Sequence, residues 1–418
     1  MKSTLIGLFL VVAYLPSFTQ DTLKITLQET ETLFLKNNAI LLAQKYNIEA
    51  TKAQIIQAKL WDNPTFSGEQ QLYNQQTEVP IPLGNMGQRA FQIQQLFLLA
   101  NKRNKRINIE KINVEASEYA YYDLMRTLSV DLRTNFYDVY FLGKSLKMFE
   151  EEINTLRQLV GAYQDQYTKG NIPLKEVIRL QSFLFTLEKE QSEYKRQVID
   201  RQAVLKTLVN EKSNIFIDPK IDKALIDSLQ IGSFSSDKLI NTALENRYDL
   251  KIQEAGIRLE QANLSLQKAL STPDIRIGYS YDRNGSYIPH YHAITLSIDL
   301  PILNKNQGNI KTAEQRIEAS RKYFEQGQNS LQHEIVRAYA NLQENDRLFK
   351  SFDSQFIGNF NILIEGVISS YQKRNISLLE FVDFFESYKN SVLQMNSLQN
   401  DRMRSVEELN FVVGKKVL

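Results

Sequence analysis

Residues 273–305 read PDIRIGYSYDRNGSYIPHYHAITLSIDLPILNK. Ile275, Ile277, Tyr279 and Tyr281 alternate with Asp274, Arg276, Gly278, Ser280 and Asp282. Ile294, Leu296, Ile298, Leu300 and Ile302 alternate with Thr295, Ser297 and Asp299. A period of two, with one apolar and one polar face, predicts two strands joined by a turn that holds Asn284-Gly285 and Pro289. Each strand spans about 9–11 residues, the length that crosses a bilayer when tilted. A noisier pair precedes it, Thr65 to Tyr73 and Arg89 to Leu99, with Pro80, Pro82, Gly84 and Gly87 in its loop.

The two pairs belong to a duplication. At an offset of about 209 positions, Leu35 meets Leu244, Asn37 meets Asn246, Ile48 meets Ile257 and Pro64 meets Pro273. The offset then shrinks slightly, and Ala90 meets Ala293, Asn101 meets Asn304, Lys102 meets Lys305, Phe136 meets Tyr339 and Phe149 meets Phe352. It closes with Tyr167 on Tyr371, Asn171 on Asn375, Ile172 on Ile376 and Glu176 on Glu380. Each copy has the order helix, strand, strand, very long helix, helix. The expected division is a leader at 1–19, a first repeat at 20–210, a connector at 211–235 and a second repeat at 236–418.

The helices show the 3.6-residue period. The first runs from about Thr26 to Leu60 and is stopped by Asp62-Asn63-Pro64; its copy runs from about Ser236 to Leu270 and stops at Thr272-Pro273. From Asn101 to Thr168 there is no proline, and Leu124, Leu128, Leu132, Phe136 and Tyr140 recur every four positions. A helix of roughly 65 residues is about 100 Å long at 1.5 Å per residue, and such a rod must pack against other rods. Its copy runs from Lys305 to Tyr371. Tight turns at Lys169 to Pro173 and Lys373 to Ser377 lead into return helices, Leu174 to Val209 and Leu378 to Val413. The segment from Asn210 to Ser235, with Pro219, Gly232 and several serines, breaks the pattern and reads as a small appendage or connector.

Composition removes several function classes. The chain has 418 residues, a formal net charge of +2 and no cysteine. That excludes disulfides, thiolate metal sites, a cysteine nucleophile and a lipidated N-terminal cysteine, and it leaves no global field to recruit nucleic acid. Lys2 followed by the apolar run Leu5 to Leu15 reads as a secretory signal, with a mature start near Gln20; a buried first helix is the alternative. No later segment approaches 18 uninterrupted apolar residues, so a membrane role needs a β-barrel or a surface helix. There is no phosphate loop, zinc-protease motif or nucleophile elbow, so no enzyme and no cofactor are expected.

These residues resemble the TolC family of outer-membrane efflux channels. The opening Leu27-Gln28-Glu29-Thr30-Glu31-Thr32-Leu33-Phe34-Leu35-Lys36-Asn37-Asn38 is similar to that family's start, as is the helix end Trp61-Asp62-Asn63-Pro64. The turn Tyr167-Thr168-Lys169-Gly170-Asn171-Ile172-Pro173-Leu174-Lys175-Glu176-Val177 carries the family's pattern, and its copy has Arg374 where the glycine falls. The resemblance implies a mainly α fold with transmembrane β structure: a homotrimer, four strands per chain in a shared twelve-stranded barrel in outer-membrane lipid, and long helices forming a tunnel through the periplasm of a Gram-negative bacterium. It implies a passive exit duct served by a periplasmic adaptor (a membrane fusion protein) and an inner-membrane pump of the RND type, carrying metal ions, drugs or other small molecules. The heavy-metal (CzcC-like) branch stays open as a subfamily. The alternatives are a duct for protein secretion and an exported coiled-coil scaffold without a pore.

Within that family, acids at the positions of Glu380 and Asp383 ring the periplasmic mouth. The two lie three apart on one helix face, although an acidic helix start also suits the dipole of a plain solvated helix. Tyr371 and Arg374 complete the expected gate. Gly170, Asn171, Ile172, Asn375 and Ile376 are the expected adaptor-docking tips. Trp61, Tyr73, Tyr279, Tyr281, Tyr287 and Tyr291 are candidates for an aromatic girdle or simply strand-favouring residues. Lys102, Arg103, Lys105 and Arg106 suggest a lipid boundary or a solvated turn. His290 and His292 share a strand face without a third metal ligand, and His333 reads as structural.

Overall fold

The computed structural model describes residues 21–82, 87–222, 226, 231–232, 234–285, 288–351 and 354–418, the side chains of 354–361 excepted. The expected leader lies outside them, as do Gly84, Tyr287 and Phe352. In chain order the elements are β1 (Thr22–Thr26), α1 (Leu27–Asn37), α2 (Ala39–Lys59), β2 (Thr65–Gln70), β3 (Tyr73–Asn74), β4 (Val79–Pro80) and β5 (Arg89–Phe97). Then come α3 (Lys102–Thr168), α4 (Leu174–Val209), β6 (Phe216–Lys220), α5 (Ser236–Asn246), α6 (Tyr248–Leu270), β7 (Ile275–Arg283) and β8 (Tyr291–Ile298). The chain closes with α7 (Gln307–Ser351), α8 (Ser354–Gln372) and α9 (Leu378–Val413). No helix among the described residues is long and apolar enough to cross a membrane.

The chain forms two compact units, and each takes segments from both repeats. One comprises the chain up to Asn38, Asp131–Gln230 and Arg347–Arg404; the other comprises Ala39–Val130, Ile231–Asp346 and Ser405–Leu418. In the first unit, β1 pairs with β6 in parallel, Thr22 opposite Phe216 and Thr26 opposite Lys220. The sequence reading missed both strands, because five residues are too few to show a period and Pro219 discourages a strand. Here Pro219 sits in a two-stranded sheet where a missing N–H is tolerated. The core of this unit draws Phe149, Leu156 and Tyr163 from α3, Val177, Leu180 and Leu187 from α4, Tyr371 from α8, and Phe381 and Phe385 from α9. One face of each of these helices is thus turned inward.

The single first helix expected from Thr26 to Leu60 is broken at Asn38, whose backbone is extended at φ −60°, ψ 118°. Its copy breaks one repeat later, at Arg247, with φ −70°, ψ 120°. Both break residues are buried and tied to a return helix: Asn38 Nδ2 donates to the Leu208 carbonyl at 2.8 Å, and Arg247 donates to the Val412 carbonyl at 3.3 Å. An extended residue held by its own side chain interrupts the i→i−4 ladder, while the apolar stripes run on past it. For that reason the pattern alone showed no break.

The second unit carries a four-stranded antiparallel sheet of order β2-β5-β7-β8. The central pair joins the two repeats, with Arg89 opposite Arg283 and Phe97 opposite Ile275 in an unbroken register. Several strand limits differ from expectation, and β5 ends at Phe97 rather than Leu99. β2 ends at Gln70, and Tyr73 belongs to the separate β3–β4 ribbon. β8 begins earlier than Ile294 and ends at Ile298, so Leu300 and Ile302 lie beyond it. Pro301 between them has no N–H to give to a ladder.

Candidate functional site

The sheet sorts its side chains by face. One face presents Phe66, Phe91, Ile93, Phe97, Ile275, Ile277, Tyr279, Ile294, Leu296 and Ile298, and Ile294 is 83% exposed although apolar. The other presents Thr65, Ser67, Gln92, Gln94, Arg276, Gly278, Ser280, Thr295 and Ser297. An exposed apolar band of this extent marks an interaction or membrane surface, and apolar-out, polar-in alternation is the pattern of a membrane barrel. The outer edges of β2 and β8 have no strand partner among the described residues. In lipid, such edges would leave those backbone groups without hydrogen bonds.

Aromatic groups mark both ends of the band. At the helix end Trp61 packs edge-on against Phe97 (6.3 Å), with the Arg103 guanidinium 4.2 Å from the Trp61 ring centroid. Toward the far end the Tyr281 hydroxyl meets His290 Nδ1 at 2.7 Å, while Tyr279, in mid-strand, reaches His292 Nδ1 at 2.5 Å. Each histidine is therefore engaged by a tyrosine. Tyr291 falls on the polar side of the alternation, opposite Asp282. His333 is exposed on α7 rather than built into a core. The basic cluster is not one solvated turn: Lys102 is buried, its Nζ 2.6 Å from Asp274 Oδ1 and 2.6 Å from the Thr272 carbonyl, and Lys105 Nζ reaches Ser265 Oγ at 2.5 Å. Lys102 thus joins the start of α3 to the start of β7, one repeat to the other.

The two turns of the first unit share one geometry. Gly170 (φ 75°) and Arg374 (φ 61°) both occupy the left-handed region. Gly170 N donates to the Tyr167 carbonyl and Asn171 N to the Gln166 carbonyl, both at 2.9 Å. Arg374 N donates to the Tyr371 carbonyl at 3.0 Å and Asn375 N to the Ser370 carbonyl at 2.8 Å. These are paired Schellman caps. Gly170, Asn171, Arg374 and Asn375 are exposed, Ile376 is half-buried and Ile172 is buried. Beside the second turn, Gln158, Leu159, Ala162, Tyr163, Gln166, Gln372 and Arg374 line an open cavity of about 400 Å³.

Glu380 and Asp383 are both exposed on the first turns of α9. Glu380 also caps that helix: Ser377 N and Oγ each donate to Glu380 Oε2 at 2.8 Å, and Glu380 N donates to Ser377 Oγ at 3.3 Å. Those hydrogen bonds, the backbone one first, hold its carboxyl below the usual range. The capping signature Ser377-Leu378-Leu379-Glu380 was readable in the sequence. Tyr371 lies inside, stacked between Tyr163 (5.2 Å) and Phe381 (4.5 Å), and the aromatic column continues to Phe385 and Phe183.

Two buried polar groups of the first unit escaped the sequence reading. Asp138 accepts from Arg201 (3.2 Å), Arg404 (3.0 Å) and Asn400 (2.8 Å) beside a cavity of about 190 Å³. Glu152 is buried and neither carboxylate oxygen has a partner among the described residues, while Lys389 Nζ nearby is engaged by Glu190 at 2.7 Å. Burial raises the Glu152 pKa to about 8, with Lys389 opposing and Glu190 and Glu151 adding to the rise. Spacing on a helix does not show which acids turn inward.

The sequence profile of the outer membrane efflux protein family matches residues 32–211 and 239–354, well over half of the chain. The chain belongs to that family. No curated protein matches the efflux protein in sequence. Solved structures do match it in fold. One is CusC, at 17% identity with a TM-score of 0.73, covering 93% of this chain and 92% of that one. The Campylobacter jejuni CmeC outer membrane channel matches at 14% identity and TM-score 0.74, over 94% of this chain and 87% of that one. The Neisseria gonorrhoeae MtrE outer membrane channel, solved in its open state, matches at 15% and 0.71, over 94% and 89%. The efflux protein thus belongs to a family of outer-membrane transport ducts rather than of enzymes. Members of the family form trimeric channels that work with an adaptor and an inner-membrane pump.

Proposed function

We propose that three copies of this chain close a twelve-stranded barrel through the free edges of β2 and β8, and that the closed trimer is a passive, water-filled exit duct. The observation that carries this reading is the sheet itself: an exposed apolar face, a polar opposite face and two open edges. A scaffold without a pore has no use for such a face. Small solutes handed over by an inner-membrane pump of the RND type, through an adaptor, would leave along the polar side.

The turns at Gly170–Asn171 and Arg374–Asn375 would be the adaptor-docking tips. Ile172 and Ile376 would support them by packing, since neither is fully exposed. Glu380 and Asp383 would ring the mouth with Arg374 near them, and Tyr371 would act through the aromatic column behind them. A ring of six carboxylates favours cations and binds divalent ions. Glu380→Gln keeps the helix cap, so the pair Glu380→Gln and Asp383→Asn removes charge with little change of structure. In planar bilayers the double variant should lose cation preference by roughly a factor of three and become less sensitive to divalent block. Unchanged selectivity and block would remove the ring.

A further inference from the structure

The open cavity of about 190 Å³ beside Asp138 lies between α3, α4 and α9, near the middle of α3 and away from both turns. Its charged lining is two arginines against one aspartate, a net positive charge. Asp138 is only 3% exposed. Arg201 Nε lies 3.2 Å from its Oδ2, Arg404 Nη1 lies 3.0 and 3.1 Å from its two oxygens, and Asn400 Nδ2 donates to Oδ1 at 2.8 Å. The carboxylate is therefore fully engaged, while the arginine side chains stay 43% and 45% exposed. Arg201 Nη2, and Nε and Nη2 of Arg404, have no partner among the described residues. Donors outnumber acceptors at this edge of the cavity. The arrangement is not imposed by the repeated fold: Asn341 stands at the copy of Asp138 and Ser405 at the copy of Arg201.

Two guanidiniums held in place by one buried carboxylate are pre-organised to receive a second anion through their free N–H groups. With Asp138 already present, a singly charged group suits the cavity better than a doubly charged phosphate. The remaining walls narrow the ligand further. Asn400 Oδ1 is shut off from solvent with no partner among the described residues, so it lacks an N–H donor. Phe141, Leu142 and Leu393 supply an apolar side. A cavity of about 150 Å³ holds a benzene ring, so this one takes roughly eight to ten non-hydrogen atoms. We propose that the cavity binds the terminal carboxylate of an N-acylated amino acid, free or at the end of a peptide. Arg201 and Arg404 hold the carboxylate, Asn400 Oδ1 receives the amide N–H, and the ligand's side chain lies against Phe141, Leu142 and Leu393. The cavity lies wholly within the first unit, so its occupancy does not depend on how the sheet closes.

The test titrates the full protein in detergent with N-acetylalanine, its neutral amide N-acetylalaninamide, and inorganic phosphate, read by isothermal titration calorimetry. The wild type should bind the acid about tenfold more tightly than the amide, and more tightly than phosphate. Arg404→Gln should remove most of the preference for the acid, and Arg404→Lys, which keeps the charge without the planar fork, should fall between the two. Leu393→Trp fills the cavity with every charge in place and should abolish binding of the acid; it decides the matter if Arg404→Gln does not fold. No binding of the acid by the wild type overturns the proposal. Equal binding of acid and amide overturns it too, as do phosphate binding as tight as the acid's and binding that survives Leu393→Trp. N-acetyl-trialanine distinguishes the source of the carboxylate. Binding at least as tight as that of N-acetylalanine assigns the site to a peptide end, and binding about tenfold weaker, the loss of one good contact, assigns it to a free solute; either result upholds the carboxylate site.

Discussion

At the scale of single residues, the duplication provides its own control. Gly170 and Arg374 close the same turn with the same left-handed backbone. Only glycine enters that region without a Cβ clash, so the arginine holds a strained position at an exposed tip. Gly170→Ala should destabilise the helical unit by about 1 kcal/mol, and Arg374→Gly should stabilise it by about 0.5–1 kcal/mol; thermal unfolding of the detergent-solubilised protein reads both. If Arg374→Gly also weakens adaptor binding, the strained arginine is retained for contact. Glu152 gives a pH dependence. Its folded pKa of about 8 lies above the ordinary carboxylate value, so the folded state holds a proton that the unfolded state releases. Stability should therefore fall as pH rises from about 4.5 to 8, by up to about 1.4 kcal/mol per pH unit, and not change on this account below that window. The groups facing Glu152 are Lys389 and Tyr388 on α9, Glu190 on α4 and Glu151 on α3. Glu152→Gln should flatten the slope in urea titrations across that range; an unchanged slope would place the titrating group elsewhere. Such acids were not legible in the sequence, because Glu151 and Glu152 are adjacent and only packing decides which turns inward.

At the scale of elements, most of the legibility came from repetition. The return helices begin and end at Leu174–Val209 and Leu378–Val413, as expected from the duplicated turns. The second strand pair was clearer than the first because Ile275 to Tyr281 keep a strict period of two. The first pair carries Gly68, Gln70 and Gln95 on its otherwise apolar face. What stayed hidden was short or side-chain dependent: β1 and β6, the breaks at Asn38 and Arg247, and the burial of Lys102. The two faces of the sheet make opposite demands on substitution. Ile93→Arg or Ile294→Arg should cost about 2–4 kcal/mol on refolding into vesicles, the penalty for arginine near the bilayer midplane. Gln94→Arg, on the polar face, should cost much less and shift ion selectivity instead. Equal penalties on the two faces would contradict the assignment of lipid and lumen. At the junction, Lys102→Met would leave Asp274 without its buried partner and should cost about 3–5 kcal/mol, read as loss of the assembled, heat-modifiable form.

For the whole molecule, one requirement dominates. A four-stranded sheet with two unpaired edges and an exposed apolar face has no stable place alone, in water or in lipid. Three such sheets joined edge to edge supply twelve strands and remove every edge. The family fixes the kind of object, an outer membrane efflux protein; the sheet is what favours association with further copies. The most direct test is the number of chains per detergent-solubilised particle, measured by native mass spectrometry or light scattering. Three chains of this polypeptide per particle, with solubility lost when detergent is withdrawn, is the expected result. A single chain that remains monodisperse in buffer without surfactant would contradict the account.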